Sequence, residues 1–87
     1  MPPDTSPMTF PCSFPLKVMG HNTDAFENAV RSILGRHLRD ARIVFARRPS
    51  SNGTYLSLTA TFTAESREQL DALYQELNAH ELVVMTL

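Results

Sequence analysis

Side chains able to do chemistry gather at three places in this sequence. The first is Gly20-His21-Asn22-Thr23, directly after the short apolar alternation of Leu16 and Val18. A glycine where a strand gives way to a helix lets backbone N–H groups converge on a phosphate or carboxylate. The positive end of the helix dipole adds to that attraction. Any strand-to-helix turn needs a glycine and a cap, however, so His21 is the one unusual residue there. The second place is "YLSLTATFT", in which Tyr55, Ser57, Thr59, Thr61 and Thr63 all carry a hydroxyl and alternate with Leu56, Leu58, Ala60 and Phe62. The third is charge. Arg31, Arg36, Arg39, Arg42, Arg47 and Arg48 crowd one stretch, while Glu65, Glu68, Asp71, Glu76 and Glu81 fall later.

Other chemistries lack their parts. His21, His37 and His80 have no metal-ligand spacing, and His37, four residues after Ile33, reads as a half-buried helix residue. Cys12 is the single cysteine, so one chain can build neither a disulfide nor a multi-thiolate site. No serine has an evident histidine and acid partner. No catalytic residue, metal site or cofactor is therefore expected, and the chain does not read as an enzyme.

These residues must be held by a small scaffold. The chain has 87 residues, 43% of them hydrophobic and 20% charged, with a net charge of −1. That is enough for one domain with one core, and it gives no overall pull toward nucleic acid or anionic lipid. The lone cysteine points to a reducing compartment. The first fifteen residues show neither the basic start nor the apolar run of a signal peptide, and no stretch reaches membrane-spanning length. A cytoplasmic protein is expected.

Prolines at positions 2, 3, 7, 11 and 15 remove backbone donors and bias their predecessors toward extended conformations. Residues 1–12 read as a flexible Pro-rich tail and 13–87 as the domain. Alternation predicts strands near 14–19, 41–48, 55–63 and 82–87. Helical spacing of Phe26, Val30, Ile33, Leu34 and Leu38, after Asn22, Thr23 or Asp24 as cap, predicts a helix over 24–38. Ser66 and Gln69 form a capping box for a second helix over 67–78, striped by Leu70, Leu73, Tyr74 and Leu77. Asn52-Gly53 marks the turn between the middle strands.

The order β-α-β-β-α-β with right-handed crossovers gives an α+β, ferredoxin-like sandwich: a four-stranded antiparallel sheet with both helices on one face. Strands one and three are then central. The helices cover Leu56, Leu58, Ala60 and Phe62, which leaves Tyr55, Ser57, Thr59 and Thr61 on the open face beside Lys17 and Met19. That face is either plain solvated sheet or a surface for a partner, with Lys17, Met19 and Tyr55 supplying apolar stems and a polar handle. An RNA-binding module shares this topology but stacks bases on aromatics of the central strands, and that platform is missing here. Acylphosphatases share it too, but need an arginine in the loop after strand one. "GHNTD" has none.

"FPCSFPLKVMG", "RPSSNGTYLSLT", "EQLDALYQEL" and "VVMTL" together resemble the small bacterial YbeD-like family, over roughly residues 10–87. The resemblance implies a fold similar to the regulatory ACT domains, which hold amino acids near the junction of strand one and helix one. It implies no established activity. The function expected is a non-catalytic regulatory or adaptor domain acting through a small ligand or a protein partner, as a monomer or weak homodimer. The ligand residues would be Gly20, His21, Asn22 and Thr23. The partner face would be Lys17, Met19, Tyr55, Ser57, Thr59 and Thr61. The alternative is a nucleic-acid binder using Arg36, Arg39, Arg42, Arg47 and Arg48, although nucleic acid is not the expected partner.

Overall fold

The computed structural model describes residues 9–39 and 41–87. Strand β1 (Cys12–His21) leads into helix α1 (Asp24–His37), then strands β2 (Val44–Pro49) and β3 (Tyr55–Ala64), helix α2 (Arg67–Ala79) and strand β4 (Val83–Thr86). The strands make one antiparallel sheet in the order β2-β3-β1-β4. The two long strands are central and both helices pack on one face, the ferredoxin-like arrangement expected.

Local chemistry sets the helix ends. Thr23 caps α1, its hydroxyl accepting from the Phe26 N–H at 3.1 Å. Asp24 and Glu27 occupy its first turn and Arg36 and His37 its last, each complementing the helix dipole. Ser66 caps α2 by accepting from the Gln69 N–H at 3.1 Å. The Gln69 side chain reaches back one residue further than a capping box requires and accepts from the Glu65 N–H at 2.9 Å.

Alternation sets the core. Leu16 and Val18 of β1 and Leu56, Leu58, Ala60, Phe62 and Ala64 of β3 are buried toward the helices. Phe26, Val30, Ile33 and Leu34 of α1 and Leu70, Leu73 and Leu77 of α2 close over them. Each of these valine, leucine, isoleucine and phenylalanine side chains contributes roughly 1.5–3 kcal/mol by leaving water. Phe14 extends the core at one margin, 6.2 Å from Phe62 and 6.5 Å edge-on from Tyr74, centroid to centroid.

The boundaries of β1 and β2 differ from the sequence expectation. β1 also runs on to His21 instead of stopping at Gly20, so Gly20 and His21 lie in the strand and pair with Leu56 and Tyr55. β1 starts at Cys12 rather than near 14, with Phe10 and Cys12 packed partly against the core. The expected tail otherwise falls on residues 1–8, outside the described residues. β2 starts at Val44 rather than 41, because the preceding residues are spent leaving the helix layer. The Ala41 N–H still bonds the Leu38 carbonyl at 3.0 Å, and Ile43 lodges against the core before the backbone pairs with β3. Among the described residues no helix is long and apolar enough to cross a membrane.

Candidate functional site

The last residues of β1 and the turn after it are held by bonds within the chain. A Cβ on Gly20 would overlap the Phe26 ring and lie 2.6 Å from the Leu82 carbonyl oxygen. Close packing, with no ligand involved, is thus sufficient reason for glycine here. The Asn22 N–H bonds the Thr54 carbonyl at 2.9 Å and its side-chain amide donates to the Gly53 carbonyl at 3.2 Å. Thr23 donates its N–H to the His21 carbonyl at 2.8 Å and uses its hydroxyl as the helix cap. His21 is exposed and stacks on Tyr55, its direct partner across β1 and β3, with centroids 5.0 Å apart and rings inclined by 30°.

The open face lies on the other side of the same strands. Lys17 pairs with Thr59 and Met19 with Ser57, so the expected neighbours meet. Register adds residues that sequence reasoning missed. Arg48 of β2 lies opposite Ser57, and Met85 of β4 lies opposite Met19. One row across the sheet therefore reads Arg48, Ser57, Met19, Met85. A second reads Ala46, Thr59, Lys17, and Val44 lies beside Thr61. The large hydrophobics left most open are Val44 (61% exposed), Tyr55 (40%), Val84 (53%), Met85 (44%) and Leu87 (64%). Val44, Tyr55 and Met85 belong to this face. Tyr55, Met19 and Met85 group at one end of the face and Val44 stands apart at the other, among small hydroxyls, with Lys17 and Arg48 as the face's cations.

Only the registers of the two short edge strands reveal that composition. "VVMTL" can be phased either way in sequence, and the pairing shifts between Met19 and Gly20, where Gly20 meets Val83 instead of Val84. One inserted residue reverses the phase of a strand. The alternation of β3 was sufficient to find Tyr55, Ser57, Thr59 and Thr61. Nothing comparable in the sequence singled out Val44 or Met85.

The five arginines considered as a nucleic-acid patch do not share a surface. Arg47 and Arg48 are consecutive on β2, so they point to opposite sides of the sheet. Arg47 turns to the helix side, with Nε 3.5 Å from Glu27 Oε1. There Glu27 also takes Arg31 at 3.1 Å, and Arg31 lies over the Phe45 ring, 4.2 Å from its centroid. Arg36, Arg39 and Arg42 line a groove of about 700 Å³ at the far end of β3, together with His37, Thr63 and Gln69. Arg36 is already paired with Glu76 of α2, which also accepts from His37 Nε2 at 2.7 Å. These two hydrogen bonds, His37 foremost, hold the Glu76 carboxyl below its usual range. Among the described residues no three His, Cys, Asp or Glu side chains gather closely enough to hold a metal ion.

With this geometry in hand, known proteins give a consistent comparison. The family model described as "Protein of unknown function (DUF493)" matches residues 5–87. A UPF0250 protein of Nitrosomonas europaea is 44% identical over 85 residues, covering 97% of this chain and 98% of its own. A UPF0250 protein of Leptothrix cholodnii is 43% identical over 88 residues, covering 100% of this chain and 97% of its own. Among solved structures, protein HP0495 of Helicobacter pylori superposes with a TM-score of 0.74 at 21% identity, covering 100% of this chain and 94% of its own. The ACT domain of a GTP pyrophosphokinase of Chlorobium tepidum superposes at 0.71 with 10% identity, covering 88% and 96%. The last two likenesses are likenesses of fold.

Proposed function

This chain belongs to the DUF493 family, the small bacterial YbeD-like proteins of unknown function with an ACT-like fold, and on that premise we propose that it is a non-catalytic adaptor or regulatory domain that receives a protein on the open face of its sheet. The observation that carries this reading is the apolar group of Tyr55, Met19 and Met85 on a sheet face that no helix covers. Aromatic and methionine side chains among small polar groups are the composition of an interface core. Lys17 and Arg48 beside this group favour a partner with acidic groups next to its apolar contact. A small ligand at the Gly20–Thr23 junction has less support, because Asn22 and Thr23 already spend their side chains on the chain itself.

The reading is tested by capture. Immobilised wild-type chain, Met19→Glu and Lys17→Glu are each offered a bacterial lysate, and the bound proteins are quantified by mass. A protein held by wild type and lost from both face variants, but kept by Arg39→Ala, supports the reading. A captured set unaffected by the face variants overturns it. Circular dichroism of each variant checks that the fold persists.

A further inference from the structure

We propose that the groove between the end of α1 and the end of β3 binds a small phosphate monoester that also carries hydroxyl groups, a sugar phosphate for example. Arg39 and Arg42 hold the phosphate. The groove of about 700 Å³ is within the size range of small-molecule sites. It is built from the last turn of α1, the loop that follows, and Thr63, Glu65 and Gln69. Thr63 lies eight residues along β3 from Tyr55, about 26 Å at the rise of a strand, so this place is remote from the Gly20–Thr23 turn.

The late start of β2 opens the groove. The Ser50 N–H bonds the Tyr55 carbonyl at 2.9 Å. Bonding alternates along an antiparallel strand, so the odd-numbered residues of β3 turn their N–H and C=O toward β2. β2 pairs with β3 only from Val44, opposite Thr61. Thr63 is the next residue in that series, and no residue of β2 lies opposite it. Ala41 is instead bonded back to Leu38 at 3.0 Å, which carries the chain away from the sheet. A backbone donor and the Thr63 hydroxyl are thereby left in the groove that Arg42 also lines.

Charge chooses the occupant. Arg36 and His37 are already engaged by Glu76. Among the described residues no carboxylate stands within ion-pair distance of Arg39 or Arg42. Two guanidinium groups suit a phosphate monoester, which carries nearly two negative charges at neutral pH. The Gln69 side chain gives its oxygen to the Glu65 N–H, so its amide nitrogen remains as a further donor. Glu65 is the carboxylate among the lining residues. It repels a polyphosphate or a nucleic-acid backbone, yet it accepts hydrogen bonds from the hydroxyls of a small ligand. Leu38 and Ala41 add an apolar wall for the carbon skeleton. None of this depends on what the open face receives.

Titration of the isotope-labelled full chain with ribose 5-phosphate, followed by amide and guanidinium chemical shifts, reads this directly. Saturable shifts at Thr63, Arg39, Arg42 and Gln69 are expected, and none from ribose alone. Arg39→Gln and Arg42→Gln should each weaken binding at least about tenfold, the loss of one charge-assisted hydrogen bond. Both sites are exposed, so resonances outside the groove should overlay those of wild type. Arg47→Gln, whose guanidinium turns to Glu27 instead, should leave binding unchanged. Inorganic phosphate should bind about tenfold more weakly, because it brings no sugar hydroxyl to Glu65. Absence of saturable shifts at millimolar ribose 5-phosphate overturns the proposal. So does equal affinity for inorganic phosphate, or binding that ignores both arginine variants. A groove perturbed by oligothymidylate but not by the sugar phosphate overturns it too.

Discussion

Gly20 shows how one residue can invite a functional reading and have a packing cause. Its backbone is pressed between the Phe26 ring and the Leu82 carbonyl, so an added methyl has nowhere to go. Gly20→Ala should cost about 3 kcal/mol, the upper end of overpacking penalties, because one of the atoms it meets is backbone. Urea unfolding with an unchanged m value checks this. Glu76 makes a second residue-level prediction. Its carboxyl titrates below the ordinary range because His37 and Arg36 bond its ionised form. Stability from a depressed carboxyl is present above the unfolded value, near 4.3, and is lost as pH falls through the folded one. Glu76→Gln should therefore be less stable than wild type at pH 7, with the gap closing as pH drops below about 4. A gap that persists in acid contradicts the assignment. The sequence offered the glycine and the histidine plainly. What it hid was that Phe26 occupies the space and that Glu76, 39 residues from His37, is its partner.

The four strands divide into two whose faces pattern alone could assign and two whose start or phase it could not. β1 and β3 are ten residues each and alternate cleanly, so their faces follow directly from residue type. The helices carry caps that announce their starts. β2 and β4 are short edge strands whose start and phase depend on tertiary events: the descent from α1 in one case, the shift at Gly20 in the other. That is why Lys17, Met19 and Ser57 could be placed on the open face from sequence while Met85 and Val44 could not. β4 leans on α2 to stay ordered, which Tyr74→Phe tests. Losing the hydroxyl bond to the Leu87 carbonyl should cost about 0.5–1.5 kcal/mol. Amides of β4 should then exchange faster with deuterium while those of β1 and β3 keep wild-type protection.

For the whole molecule, one core satisfies both helices and one side of the sheet, and it leaves the other side in water. A fifteen-residue set of buried hydrophobics includes no buried polar or charged residue among the described residues, so nothing in the interior points to chemistry. Differentiation is on the surface instead: Tyr55, Met19 and Met85 beside Lys17 and Arg48 on the open face, and arginines at the far end of the helix layer. The fold was readable because alternation and helical spacing are local. The surface was readable only in part, because it is assembled by register between strands distant in sequence. The proposed function puts the partner on the open face. Nuclear magnetic resonance of the isotope-labelled chain in unlabelled bacterial lysate, compared with buffer, tests it residue by residue. Line broadening confined to Lys17, Met19, Tyr55, Ser57, Thr59 and Met85 is the predicted result. Broadening centred instead on Gly20–Thr23 or on Arg36, Arg39 and Arg42, with the open face unperturbed, would contradict it.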